Sequence, residues 1–167
     1  VSPVRVAVDT PGQAADDRLM TMQLFQVDEA GALFISPAVT DWAPLEARGI
    51  DTVIDLDGGL DHCIPCVPNQ VLYVYFPIFD EDLPNLAKLN AVADLGAALV
   101  KGGHRVLSHC GMGFNRSALV AGLILLQLGV SGPEAVQRLR ACRPGALFNE
   151  VFAAHLQSLT PRNRGGV

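Results

Sequence analysis

Residues 109–117 read His109-Cys110-Gly111-Met112-Gly113-Phe114-Asn115-Arg116-Ser117. Five residues, two of them glycine, separate the cysteine from the arginine. The short β-like run Arg105-Val106-Leu107-Ser108 precedes the stretch, and an apolar helix-like run, Ala118 to Leu128, follows it. The pattern reads as strand, glycine-rich turn and helix N-terminus. Such a turn binds an oxyanion, because successive backbone N–H groups converge and the helix dipole adds positive potential. The cysteine opens the turn, so its sulfur is expected at the floor of the cradle. The arginine closes it, with a planar fork suited to a bidentate grip on phosphate. A thiol in that field is expected to ionise readily, and a thiolate beneath a bound phosphate is a nucleophile aimed at phosphorus.

Outward from the cradle, strands alternate with helices. Met20–Val27 and Ala32–Ile35 read as two short strands around the turn Asp28-Glu29-Ala30-Gly31. Thr40 or Asp41 can cap a short helix to Arg48, stopped by Gly49. Thr52–Leu56 and Val71–Phe76 are strands, with Asp57-Gly58-Gly59 turning the chain after the first. Apolar residues from Leu86 to Val100 have helical spacing, ended by Gly102-Gly103. Ser131-Gly132-Pro133-Glu134 has the form of a capping box opening a helix to about Cys142, and Phe148–Leu159 is a final helix. The expected fold is α/β, a central, mostly parallel sheet flanked by helices, with the cradle at the carboxyl end of a strand, where such sheets bind ligands. The expected layout is a loosely packed lead-in over 1–20, one domain over 21–160 and a tail over 161–167.

Composition agrees with one globular domain: 167 residues, 50% hydrophobic, 17% charged, net charge −5. The acidic balance disfavours a nucleic-acid partner. No apolar run reaches the length of about 18 residues that spans a bilayer, so no membrane association is expected. The N-terminal residues lack the basic-then-apolar order of a secretory leader, and four cysteines make no disulfide framework. A reducing cytoplasm is the expected compartment.

The nine residues of the cradle resemble the His-Cys-x5-Arg-Ser/Thr signature of the cysteine-dependent protein tyrosine phosphatases. Three more segments resemble the dual-specificity branch of that superfamily. They are Trp42 to Leu56, with the Gly49-Ile50-x-x-Val53-Ile54 pattern; Tyr75-Phe76-Pro77-Ile78-Phe79-Asp80; and Arg143-Pro144-Gly145-Ala146-x-x-Asn149-x-x-Phe152. The resemblance implies a phosphomonoester hydrolase that needs no cofactor or metal and acts on phosphorylated proteins or small phosphomonoesters. It implies Cys110 as the nucleophile that becomes phosphocysteine, and Arg116 as the phosphate clamp. Ser117 would ease departure of the sulfur, and His109 would brace the loop. Asp80 would be the general acid and then the base. Gly111, Met112, Gly113, Phe114, Asn115 and Arg116 would form the phosphate-binding loop. Glu81 and Asp82 compete with Asp80 for the acid's role, and the Phe-Pro-Ile-Phe-Asp context favours Asp80.

Substrate class is read from the cradle's variable positions. Gly111, Met112, Phe114 and Asn115 include no basic residue, whereas phosphoinositide phosphatases of the superfamily often carry a lysine there. Gly113-Phe114-Asn115-Arg116 also resembles the loop of cysteine-dependent RNA 5′-triphosphatases, but those continue with Thr-Gly where this chain has Ser117-Ala118. Phosphotyrosine is therefore favoured, with phosphoserine and phosphothreonine open if the pocket is shallow. The class-different alternative is a phosphate-binding module without turnover. One segment lies outside the resemblance: His62-Cys63-Ile64-Pro65-Cys66. Cys63 and Cys66 read as two loop thiols, as a redox pair able to trap an oxidised Cys110, or, with His62 and Asp61, as metal ligands. Trp42 and Cys142 read as core residues, and Phe79 as a residue that could touch substrate.

Overall fold

The computed structural model describes residues 22–161. The expected lead-in and all but the first residue of the expected tail lie outside this range, as do Met20 and Thr21 of the first expected strand.

Five strands form one sheet: β1 (Phe25–Gln26), β2 (Leu33–Ser36), β3 (Thr52–Asp55), β4 (Leu72–Tyr75) and β5 (Val106–His109). Their spatial order is β1-β2-β5-β3-β4. Only the β1–β2 pair is antiparallel; β2–β5, β5–β3 and β3–β4 are parallel. Five helices complete the domain: α1 (Ala43–Ala47), α2 (Leu86–Lys101), α3 (Arg116–Gln127), α4 (Gly132–Cys142) and α5 (Glu150–Ser158).

The inner strands β2, β3 and β5 are short and buried at every position because both faces of the sheet are covered there. Leu33, Ile35, Ile54 and Val106 face the larger core, built with α2 to α5. Phe34, Val53 and Leu107 alternate to the other face, where Leu45 of α1 meets them. Helix α3 runs through the larger core, with every residue from Ser117 to Leu126 buried. That burial explains why its sequence is apolar all round rather than on one stripe. Among the described residues no helix is long and apolar enough to cross a membrane.

One helix end and two helix starts test the expected boundaries. Gly49, at φ +65°, ends the α1 turn as expected. Ser131 precedes α4, but its side chain makes no capping bond. The expected capping box does not form because Glu134 is drawn to Arg138 one turn on, at 2.6 Å. Gly132 instead lies against the end of α5, its N–H donating to Leu159 O at 3.3 Å. A Cβ there would fall 1.9 Å from Leu156 O, so glycine permits the close approach. The last helix starts two residues later than Phe148. Asn149 caps it, its Oδ1 accepting from the N–H groups of Val151 and Phe152.

Register aligns the carboxyl ends of the three inner strands. His109 of β5 lies beside Ser36 of β2 on one side and Asp55 of β3 on the other. The cradle leaves the sheet from the central strand of this edge.

Candidate active site

The turn between β5 and α3 is held from outside by its carbonyls. Gly111 O accepts from Ala38 N–H at 3.3 Å, Met112 O from Arg143 Nη2 at 2.8 Å, and Phe114 O from Leu147 N–H at 2.9 Å. The inner face is left to amide groups. Gly113 N–H points at Cys110 Sγ, 3.3 Å away. The Ser117 hydroxyl stands 3.5 Å from the same sulfur. Cys110 itself is 2% exposed. Gly113 has φ +69°, and a Cβ on it would lie 2.5 Å from the Ser36–Pro37 backbone. Both the conformation and the contact require glycine there.

Arg116 lies at the first position of α3 and folds back over the loop. Its Nη1 donates to Leu56 O at 3.1 Å, Asp57 Oδ1 at 2.9 Å and Ile78 O at 3.3 Å. Its Nε is buried and has no acceptor in the protein. Nη2 lies beside the loop, 3.4 Å from where a Cβ on Gly111 would be. One edge of the guanidinium is thus anchored while Nε, on the loop, keeps a free donor in a desolvated place. A buried charged donor without an acceptor is costly, and an oxyanion in the cradle would satisfy it. Asn115, at the N-cap of α3, makes no side-chain cap bond. Its amide is used elsewhere, so the helix N-terminus keeps its own N–H groups for a ligand.

That amide ties the cradle to the loop after β4. Asn115 Nδ2 donates to Asp80 Oδ2 at 2.9 Å, and Asn149 Nδ2 donates to Asp80 Oδ1 at 3.1 Å. Asn115 Oδ1 in turn accepts from Asn149 N–H at 3.0 Å. The structure therefore brings Asp80 to the cradle, and does so through both oxygens. Glu81 and Asp82 have exposed side chains, with only the Glu81 backbone carbonyl reaching Asn149.

His109 is fully buried on the α1 side of the sheet, next to the cysteine. Its Nε2 lies 2.8 Å from Asp61 Oδ2 and 3.6 Å from Asp55 Oδ1. Tyr73 OH donates to Asp55 Oδ2 and accepts from Asp61 N–H. Burial first, and the bond to Asp55 second, push the Tyr73 hydroxyl far above its ordinary range, so it stays a neutral donor. Asp55, Asp61 and His109 lie close enough together to share a cation. Both Asp55 oxygens are already engaged, Oδ1 by Asp57 N–H and Oδ2 by Tyr73, so Asp55, Asp61 and Tyr73 read as a hydrogen-bonded brace beside His109, whose two ring nitrogens are buried and make no hydrogen bond among the described residues.

Cys63 and Cys66 are exposed free thiols. Their loop lies over α1, where Trp42 Nε1 donates to His62 O at 2.9 Å. Neither thiol joins a cluster of ligand atoms, and Asp61 turns instead to His109, so the metal arrangement of that loop does not assemble among the described residues. Cys142 is half-buried against the core, where burial pushes its thiol up. Trp42 packs on the smaller core, 6.3 Å from the Tyr73 ring.

Sequence reasoning missed Asp57, Asp61, Tyr73 and Arg143 as parts of this site. Arg143 is nearly buried, with its guanidinium between the rings of Phe25 at 4.3 Å and Phe114 at 3.9 Å. Burial lowers its affinity for its proton, yet it remains a cation behind the loop. The one signal for Asp57 was its place just past a parallel strand, at the ligand-binding edge.

No family model matches the chain. Protein tyrosine phosphatase type IVA 2 of mouse is 30% identical over 130 residues, covering 78% of this chain and 66% of the mouse protein. The rat protein matches equally. The match thus spans just under two thirds of these relatives. Among solved structures, a mouse protein assigned as a dual specificity phosphatase, solved with zinc tungstate, is 30% identical with a TM-score of 0.67. It covers 80% of this chain and 84% of its own. Human DUSP28 is 27% identical with a TM-score of 0.67, covering 80% of this chain and 90% of its own.

Proposed function

Since the chain belongs to the cysteine-dependent protein tyrosine phosphatase superfamily, on its dual-specificity phosphatase-like branch, we propose that it hydrolyses phosphomonoesters through a phosphocysteine on Cys110. The observation that carries the proposal is the half-engaged clamp: Arg116 with Nη1 anchored and Nε buried without an acceptor, beside a buried sulfur that accepts the Gly113 N–H and lies 3.5 Å from the Ser117 hydroxyl oxygen. The mouse relative solved with zinc tungstate supports the reading, since tungstate is a tetrahedral oxyanion.

In the first step the Cys110 thiolate attacks phosphorus in line, forming the S–P bond as the P–O bond to the leaving group breaks. Asp80 gives its proton to the leaving oxygen. The loop amides and Arg116 hold the three equatorial oxygens, whose charge the helix N-terminus also favours. In the second step Asp80 takes a proton from water, the water oxygen attacks phosphorus and the S–P bond breaks. The Ser117 hydroxyl and Gly113 N–H receive the departing thiolate. His109, buried beside Asp61 and Asp55, packs the end of β5 from which Cys110 projects. The loop thiols Cys63 and Cys66 have no part in turnover.

Phosphotyrosine is the favoured substrate class. Of the cradle's variable side chains, Asn115 is buried and Phe114 is turned between Arg143 and Phe148, so none supplies a cation for a second phosphate. The test is chromophore release from an aryl phosphate in the presence of EDTA. Turnover is expected from the native chain and none from Cys110→Ser, which should still bind orthovanadate because the amides and Arg116 remain. Oxyanion binding with no turnover by the native chain would instead make this a phosphate-binding module.

A further inference from the structure

Three large apolar side chains stand exposed around the candidate site, each from a different element. Phe79, next to Asp80, is 83% exposed; Met112, in the cradle, 66%; and Phe148, whose ring lies 6.0 Å from Phe114, 62%. Carboxylates are interleaved with them. Asp57 binds Arg116, Glu81 and Asp82 follow Asp80, and Glu150 follows Asn149, which holds Asp80. Glu81, Asp82 and Glu150 are all exposed.

The nearby guanidinium groups are committed elsewhere. Arg116 faces Asp57 and the cradle, and Arg143 lies between Phe25 and Phe114. Arg140 donates to Ala146 O and Leu147 O. Lys88 lines a cleft of about 340 Å³ with Phe79, Glu81 and Asp82, so two carboxylates and one ammonium border it and its charge there is net negative. The floor of the site is thus positive and its rim negative and apolar. A phosphoryl group is drawn to the floor, while whatever flanks it meets the rim. A flanking carboxylate or second phosphate is repelled. A flanking lysine or arginine can lay its aliphatic stem on Phe79, Met112 or Phe148 and bring its charge to Glu81, Asp82 or Glu150.

We propose that Phe79, Met112 and Phe148 together with Glu81, Asp82 and Glu150 form a specificity rim that selects phosphotyrosine flanked by lysine or arginine in a peptide. The proposal rests on the reading of the site as a phosphomonoesterase and adds to it the sign of the substrate's flanks.

The test compares kcat/KM on three phosphotyrosine peptides of equal length, with arginine, alanine or glutamate on both sides of the phosphotyrosine, alongside p-nitrophenyl phosphate. The arginine peptide should exceed the glutamate peptide by about 25-fold near 0.02 M salt, with alanine between, since one unit-charge pair at 4 Å contributes about a factor of five in water and glutamate turns that gain into an equal loss. The ratio should shrink towards one at about 0.5 M salt, where charges more than a few ångström apart are screened. The triple substitution Glu81→Lys, Asp82→Lys, Glu150→Lys should invert the order. Should that variant fail to fold by circular dichroism, the salt series on the native chain still decides. Equal rates on the three peptides at low salt, or a preference for glutamate, would overturn the rim. So would turnover of p-nitrophenyl phosphate with none of any peptide, while leaving the phosphatase reading intact. No turnover of any of the four would overturn both.

Discussion

Arg116 is placed by acceptors from two other loops: Leu56 O and Asp57 Oδ1 after β3, and Ile78 O after β4. All three converge on Nη1, which leaves Nε and Nη2 for a phosphoryl group. Charge alone does not reproduce this. A lysine has one ammonium and cannot serve the three acceptors and clamp an equatorial oxygen pair together. Arg116→Lys should therefore keep the fold and lower kcat/KM on aryl phosphates by about 10²-fold or more, the scale of losing a preorganised donor aimed at transition-state charge. Steady-state kinetics would check it, and a drop of only a few-fold would mean that the fork geometry is idle. Asp80 is the other reacting group in the proposed mechanism. Asp80→Asn should lower kcat on phosphotyrosine by about 10²–10⁴-fold, and less on esters with good leaving groups, which need no proton. If Asp82→Asn behaved this way and Asp80→Asn did not, the acid would lie two residues further along.

Among elements, the first turn of α5 does two jobs through Asn149. Its Oδ1 caps the helix, and its Nδ2 holds Asp80. Asn149→Ser separates them, because a hydroxyl oxygen keeps the cap and the amide donor to Asp80 is lost without adding a charge beside it. Thermal stability should stay near that of the native chain, while kcat falls by about fivefold, the equivalent of one hydrogen bond of about 1 kcal/mol. An unchanged kcat would show that Asn115 alone positions the acid. This link also marks where local sequence runs out. Strand, turn and helix around Cys110 are legible because glycines and apolar periodicity lie within one stretch, and Gly49 and Gly102 mark their helix ends. Asp57 and Arg116 are 59 residues apart, and Met112 and Arg143 are 31 apart, so no local pattern pairs them. Asp61 sits among residues that look like ligands, and only the fold reveals that it turns to His109. The capping box at Ser131 misleads for the converse reason: its Glu134 has a better partner on its own helix.

Across the whole molecule, the parallel order of β2, β5 and β3 brings four loops to one sheet edge. The β3 loop brings Asp57, and the β4 loop brings Asp80. The β5 turn carries Cys110, and the segment before α5 brings Asn149 and Phe148. Both faces of the sheet are buried at the inner strands β2, β5 and β3, so this edge is free to differ from the core in charge and shape. This convergence supports the proposed transfer of phosphate to the sulfur at its centre. The direct measurement is acid quench of the Asp80→Asn variant during turnover of an aryl phosphate, followed by peptide mapping. In this variant the second step lacks its base, so the intermediate should accumulate. The account predicts phosphate on the peptide carrying Cys110, absent when Cys110→Ser is added. Turnover by the native chain with no phosphate trapped on Cys110, or with phosphate on another residue, would contradict it.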